Sequence, residues 1–74
     1  MKSVCIIDDD PEVRDTIVSL TRKMRLTSDA AGTLEAGMEL LARERFDVVF
    51  LDVRLPDGNG LAALPAIKQL PGAP

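Results

Sequence analysis

Apolar residues along this chain follow two different rhythms, and the switch between them predicts its elements. Ser3 to Ile7 is a short, β-branched run, as expected of a buried parallel strand. From Val13 the rhythm lengthens: Val13, Ile17, Leu20 and Met24 recur at helical steps, with Arg14, Asp15, Ser19 and Arg22 off the stripe. Asp10-Pro11-Glu12 supplies a helix start, with Asp as N-cap, Pro in the first turn and Glu near the positive end of the dipole. The spacing predicts a helix over Pro11–Met24, with Lys23 and Arg25 suited to its negative end. Leu26 to Ala31 is weaker, since Asp29 and two alanines limit it to a short edge strand.

Gly32-Thr33 opens a second helix, with Thr33 as N-cap and Glu35 in the first turn. Leu34, Met38 and Leu41 form its core stripe, and Arg43-Glu44-Arg45 reads as a solvated end. Phe46 to Val53 is the second strong strand. Its continuous run Val48-Val49-Phe50-Leu51 predicts burial on both faces. After an Asp57-Gly58-Asn59-Gly60 loop, Leu61, Leu64, Ile67, Lys68 and Leu70 return to helical spacing. Pro65 falls inside that pattern, so the helix kinks there or its regular part starts nearby. Leu70 to Pro74 terminates it.

Strands separated by helices imply right-handed crossovers and a parallel sheet, an α/β architecture. Such a sheet brings the carboxyl ends of its strands to one edge, where open α/β sheets hold ligands. Asp8 and Asp9 close the first strong strand and Asp52 closes the second, so neighbouring strands would bring three carboxylates together.

Composition narrows the chemistry. The chain has 74 residues, enough for at most one small domain with a thin stability margin. A net charge of −3 leaves no basic footprint for nucleic acid, and a protein partner or a cation suits this surface better. There is no histidine, which removes Ser-His and Cys-His catalysis and histidine metal ligands. Cys5 is the single cysteine and reads as a small buried hydrophobe. The apolar start is too short for a signal peptide or a membrane span, so the expected location is cytoplasmic.

Three unpaired carboxylates repel one another, and a hard divalent cation relieves that repulsion. Mg²⁺ favours carboxylate oxygens and keeps positions for water or phosphate. With the charge screened, Asp52 becomes a candidate nucleophile for phosphoryl transfer. Taken singly, each acid has a plainer reading, as a helix cap or loop punctuation; their expected convergence favours the site. Asp57 and Asn59 are assigned to the turn and to capping the third helix. Lys68 belongs to a solvated helix flank.

These residues together resemble the receiver domain of bacterial two-component response regulators. The resemblance rests on Asp8-Asp9 followed by Pro11 and Arg14, on Gly32-x-x-Glu35-Ala36, and on Phe50-Leu51-Asp52-Val53-Arg54-Leu55-Pro56-Asp57-Gly58-Asn59-Gly60. It implies a flavodoxin-like parallel sheet with strand order 2-1-3 in the part present. It implies that Asp52 is the phosphoacceptor, supplied by a phosphohistidine on a sensor histidine kinase. By the same resemblance, Mg²⁺ is held by Asp8, Asp9, Asp52 and the backbone carbonyl of Arg54. Lys2, Lys23 and Lys68 have no role at the phosphate. By the same resemblance, an output domain acting in transcriptional regulation would lie elsewhere; the loop and Leu64-Pro65-x-Ile67 resemble regulators with an ATPase and DNA-binding output.

A complete receiver has five βα units. Residues 1–74 are expected to supply the first three, with Pro71-Gly72-Ala73-Pro74 as the linker into a fourth strand. The fold is then truncated after the third helix, and the third strand keeps an exposed edge that invites self-association. Two other readings compete: a receiver-like interaction module that is not phosphorylated, and a phosphohydrolase with an aspartate nucleophile. The latter usually has a second acid two residues beyond the nucleophile, where this chain has Arg54. The expected role is phosphoacceptor rather than enzyme.

Overall fold

The computed structural model describes residues 2–74, so Met1 of the expected 1–74 domain lies outside the described residues. Ser3–Ile7 forms β1, Pro11–Lys23 forms α1, Thr27–Ala31 forms β2, Leu34–Arg43 forms α2 and Val48–Leu51 forms β3. Two short strands follow, β4 (Arg54–Leu55) and β5 (Gly58–Asn59), and then helix α3 (Gly60–Lys68). The main sheet has the order β2-β1-β3 and is parallel throughout, the flavodoxin-like arrangement expected from the sequence.

Register explains the division of the core. Cys5 stands between Asp29 and Val49, and Ile7 between Ala31 and Leu51. The two crossovers from β1 to β2 and from β2 to β3 run in opposite directions across the sheet. Right-handed connection therefore puts α1 and α2 on opposite faces. Cys5, Ile7, Val49 and Leu51 pack with Leu34, Leu41, Phe46, Leu55 and Ile67 on the α2 and α3 side. Gly37 lets α2 approach closely, since a Cβ there would fall on the side chain of Ile7. Val4, Cys5, Ile6 and Ile7 are all buried, so β1 is the strand covered on both faces.

The expectation that Val48–Leu51 is buried on both faces is corrected. Val48 and Phe50 are 51% and 49% exposed, while Val49 and Leu51 pack into the core. The cause is the placement of α1 over β1 and β2: among the described residues α1 packs chiefly on those two strands, and the outer face of β3 stays half open. The strand is also shorter than Phe46–Val53. Phe46 reaches the core from the preceding connection, and the Asp47 carboxylate accepts from the Ser3 N–H at 2.8 Å.

Helix α1 has the expected cap, with the Asp10 side chain accepting from the Glu12 N–H at 2.9 Å. Its inward stripe is displaced from the one expected. Thr21 is buried, whereas Leu20 is 53% and Met24 68% exposed. Adjacent helical residues diverge by about 100°, so a helix that turns Thr21 to the sheet must turn Leu20 aside. The Thr21 hydroxyl is satisfied by the Val18 carbonyl at 2.7 Å and by Ser28 Oγ at 3.0 Å, which removes the penalty of burying it. Met24 is the C-cap, where the chain leaves the helix. Arg25 then takes a left-handed conformation, with φ 59°, and Leu26 N–H donates back to the Thr21 carbonyl at 2.9 Å. These bonds form a Schellman-type stop.

In α2, Thr33 is the N-cap as expected, accepting from the Ala36 N–H at 3.1 Å. Helix α3 begins at Gly60 and includes Pro65 rather than starting from it. Beyond α3 the chain turns back. Gly72 donates to the Leu41 carbonyl at 2.7 Å, and its own carbonyl accepts from Phe46 at 2.9 Å. The segment expected as a linker is thus pinned to the α2–β3 connection.

Candidate functional site

The sheet ladder continues one residue past each strong strand, and both of those residues are acids. Asp8 N–H donates to the Ala31 carbonyl at 3.0 Å, and Asp52 N–H donates to the Ile7 carbonyl at 2.8 Å. Main-chain bonds to neighbouring strands therefore fix where the two carboxylates begin. One oxygen from each of Asp8, Asp9 and Asp52 lies within 4.8 Å of the others. Asp8 is buried, Asp52 partly buried and Asp9 exposed, so the cluster opens to solvent on one side. The convergence anticipated from the strand ends is present.

The surroundings of Asp8 are built from local backbone. Its Oδ1 accepts from the Asp10 N–H at 2.9 Å, which ties the acid to the start of α1. Arg14 Nη1 donates to the Asp8 carbonyl at 2.9 Å, leaving the Asp8 carboxylate for other partners. Gly32 makes room for that arm, because a Cβ there would lie 2.9 Å from Arg14 Nη1. Arg14 belongs to the architecture of the site through its bond to the Asp8 main chain.

Asp52 meets a different support. Arg54 N–H points toward Asp52 Oδ1 at 3.4 Å, and Gly60 N–H donates to the Val53 carbonyl at 2.7 Å. The loop expected between them is a small antiparallel hairpin, β4 with β5, in which Leu55 opposes Gly58. Leu55 is buried in the main core and anchors the hairpin from below. Arg54 itself is exposed and lies beside Asp52.

Asp57 lies in the turn as expected, but the helix it caps is not the expected one. Its carboxylate caps α2, across the chain, rather than α3. Oδ1 accepts from Leu34 N–H at 2.8 Å and Oδ2 from Glu35 N–H at 2.9 Å. The Glu35 and then the Leu34 backbone bonds hold its carboxyl below the usual carboxylate range. Asn59 alone caps α3, accepting from Leu61 and Ala62 at 2.8 and 3.1 Å. Sequence reasoning found Asp57 and Asn59 as capping residues. The partner helix of Asp57 depends on tertiary contact and left no local signal.

Three hard oxygen donors at one strand edge are a suitable set for a small divalent cation and a poor one for soft metals. The cluster lacks thiolate competition: Cys5 is buried in the sheet, and burial, with Asp29 and Glu44 adding, pushes its thiol up to about 11. A cavity of about 500 Å³ opens at the opposite edge of the sheet, lined by Ser3, Arg45, Phe46, Asp47, Ala73 and Pro74. It lies away from the acids and gathers no comparable donor set. Among the described residues no helix is long and apolar enough to cross a membrane.

Comparison with known proteins agrees with this geometry. Residues 4–74 match the family model described as the response regulator receiver domain. The chain is 41% identical over 64 residues to the response regulator protein PilR of Pseudomonas aeruginosa, covering 86% of this chain and 14% of that protein. A CheY-like response regulator receiver domain protein from Methanospirillum hungatei superposes with a TM-score of 0.90 at 25% identity, covering 93% of this chain and 55% of the other. The structure of the histidine kinase ThkA in complex with the response regulator protein TrrA gives a TM-score of 0.86 at 25% identity, over 93% of this chain and 60% of the matched one. The chain thus spans a small part of PilR and little more than half of the solved receiver.

Proposed function

This chain belongs to the response regulator receiver domain family of two-component signalling, and from that premise we propose that Asp52 is its phosphoacceptor. The observation that carries the proposal is the meeting of Asp8, Asp9 and Asp52 within 4.8 Å at the carboxyl edge of the sheet. The partner is a sensor histidine kinase; a matched structure is a complex of a histidine kinase with a response regulator. The Asp52 carboxylate attacks the phosphorus of a phosphohistidine. As the O–P bond forms, the P–N bond breaks and its electron pair leaves with the imidazole, so an acyl phosphate replaces the phosphoramidate.

Asp8, Asp9, Asp52 and the Arg54 carbonyl are the residues proposed to hold Mg²⁺. When bound, Mg²⁺ offsets the charge of the carboxylates and of the incoming phosphoryl oxygens. The protein's part is placement. The ladder bonds of Asp8 and Asp52 fix the acids before any ligand arrives, which lowers the cost of ordering them. Asp8, buried and already bonded to the Asp10 N–H, acts chiefly by orientation, while exposed Asp9 is free to meet the cation.

The chain acts in this reading as an acceptor, at most with self-phosphorylation and self-dephosphorylation, in the cytoplasm. It controls an output outside these residues, which we read as transcriptional regulation; a relative 32% identical over 69 residues is the transcriptional activator protein PfeR of Pseudomonas aeruginosa. The β3 edge adds a second partner, another copy of the chain. Incubation with Mg²⁺ and acetyl phosphate tests the central claim. The expected result is a single phosphoryl adduct on Asp52, found by mass spectrometry and absent in Asp52→Asn. An adduct elsewhere, or turnover of acetyl phosphate that persists in Asp52→Asn, overturns it.

A further inference from the structure

The hairpin beside Asp52 has two residues in each strand, too short to be stable through its own pairing. Its position must come from attachments to the rest of the fold. Leu55 supplies one, in the core. Asp57 supplies the other, at the turn, by accepting from the first two N–H groups of α2 at 2.8 and 2.9 Å.

The division of labour at α2 shows why this second attachment matters. Thr33 accepts from Ala36 and serves the helix end from within its own segment. Asp57 serves Leu34 and Glu35 from 23 and 22 residues away. A local cap stabilises a helix; a remote cap also fixes the distance between two segments. Here the second segment runs from Asp52 to Gly60. At its base, Arg54 N–H faces Asp52 Oδ1 at 3.4 Å, and Gly60 is bonded to the Val53 carbonyl at 2.7 Å. Both oxygens of Asp57 are engaged, so the hairpin is held against rotation as well as translation.

We propose that Asp57 is a positioning residue for the acidic site: its two-oxygen cap on α2 sets the pose of the hairpin, and through it the Arg54 main chain beside Asp52. The metal-binding consequence rests on the reading of the site given above, whereas the control of hairpin pose does not. Because the coupling is reciprocal, a ligand that draws on the Arg54 carbonyl also acts on the first turn of α2.

Four forms of the chain test this: wild type, Asp57→Ala, Asp57→Asn and Thr33→Ala. Thr33→Ala loosens the same helix end without touching the hairpin. Amide hydrogen exchange at Gly60 reads hairpin opening, and a Mg²⁺ titration followed through the Arg54 amide resonance reads the site. In Asp57→Ala, Gly60 exchange is expected to rise about tenfold or more, as loss of charge-assisted bonds implies, with several-fold weaker Mg²⁺ binding. Asp57→Asn, which retains one acceptor oxygen, falls between, and it carries the comparison if Asp57→Ala does not fold. Thr33→Ala lowers the thermal midpoint but leaves both readings near wild type. Equal Gly60 exchange in the Asp57 variants and Thr33→Ala overturns the inference. A wild type that ignores Mg²⁺ overturns the metal reading alone, since Gly60 exchange still decides the role of Asp57.

Discussion

A Cβ on Gly60 would fall on the carbonyl oxygen of Asp52, and it would also lie 3.0 Å from Leu51 Cγ. The helix that follows the hairpin therefore begins against the backbone of Asp52, the proposed acceptor. Any side chain at position 60 must displace Asp52, the hairpin or α3.

Gly60→Ala is accordingly expected to cost about 1–3 kcal/mol, the range for overpacking a fitted contact. It should also abolish labelling by acetyl phosphate at temperatures where the variant remains folded. Thermal unfolding monitored by circular dichroism and adduct yield by mass spectrometry check the two parts. Full labelling in a destabilised Gly60→Ala would separate α3 docking from acceptor geometry.

The acid cluster should trade stability for ligand binding. With Asp8, Asp9 and Asp52 within 4.8 Å, neutralising one relieves repulsion in the metal-free chain. Asp9→Asn, on the exposed member, is expected to raise metal-free stability by about 0.5–1 kcal/mol. The same change should remove most of the thermal stabilisation that the proposed Mg²⁺ site is expected to give the wild type by mass action. Chelation of the metal in the wild type then lowers its midpoint, and chelation in Asp9→Asn does not. Scanning calorimetry with and without Mg²⁺ decides this.

How much of this was legible in sequence depends on how far each cause reaches along the chain. Asp8, Asp9 and Asp52 could be placed together because strand ends and crossover order are written in apolar rhythm, and parallel pairing does the rest. Thr33 and Asp10 were legible as caps because their partners lie within three residues. The inward face of α1 was not, because burying Thr21 depends on Ser28 Oγ in another element. The half-exposed face of β3 was misread for a related reason: a continuous apolar run specifies what could be buried, and helix placement decides what is. Asp57 shows the limit most clearly. Its capping chemistry could be read locally, but its helix could not.

Arg25 marks a place where the fold can be improved. Its φ of 59° is a left-handed conformation that costs a side-chain-bearing residue about 1 kcal/mol relative to glycine. Arg25→Gly keeps the bonds from residues 25 and 26 back to Arg22 and Thr21, since both are made by backbone. The expected gain is about 1 kcal/mol, which in a domain of this size raises the midpoint by roughly 4–8 °C. Arg25→Ala, which retains the Cβ, should gain little.

Acid should weaken the contribution of the remote cap, because an unfolded Asp57 takes up its proton at a higher pH than the folded one. The Asp57 carboxyl is held below its ordinary value of 3.8 by the Glu35 and Leu34 N–H groups. A depressed folded pKa means that its contribution is complete above the unfolded value and is lost as pH falls through the folded one. The difference in thermal midpoint between wild type and Asp57→Asn is therefore expected to be constant near neutrality. It should shrink steadily once the pH falls below about 3.8, where the unfolded chain begins to bind the proton, and be gone when the folded carboxyl is protonated as well. A difference that grows on acidification would show that the cap is made by the protonated form.

The outer edge of β3 predicts how the chain behaves toward copies of itself. Among the described residues β3 is paired only with β1, and Val48, Phe50 and Val53 are 51%, 49% and 40% exposed beside that free edge. Unpaired strand donors next to apolar side chains form a template for another strand. Light scattering on the 74-residue chain should give a mass above the monomer that rises with concentration in the micromolar range. Val48→Lys places a charge on the half-exposed face and should restore the monomer, while leaving Val49 and Leu51 in the core. A wild type that stays monomeric throughout that range would rule out edge pairing. A wild type that associates equally well as Val48→Lys would move the contact elsewhere, with the shallow groove of Val49, Leu64, Ile67 and Pro74 as the next surface to alter.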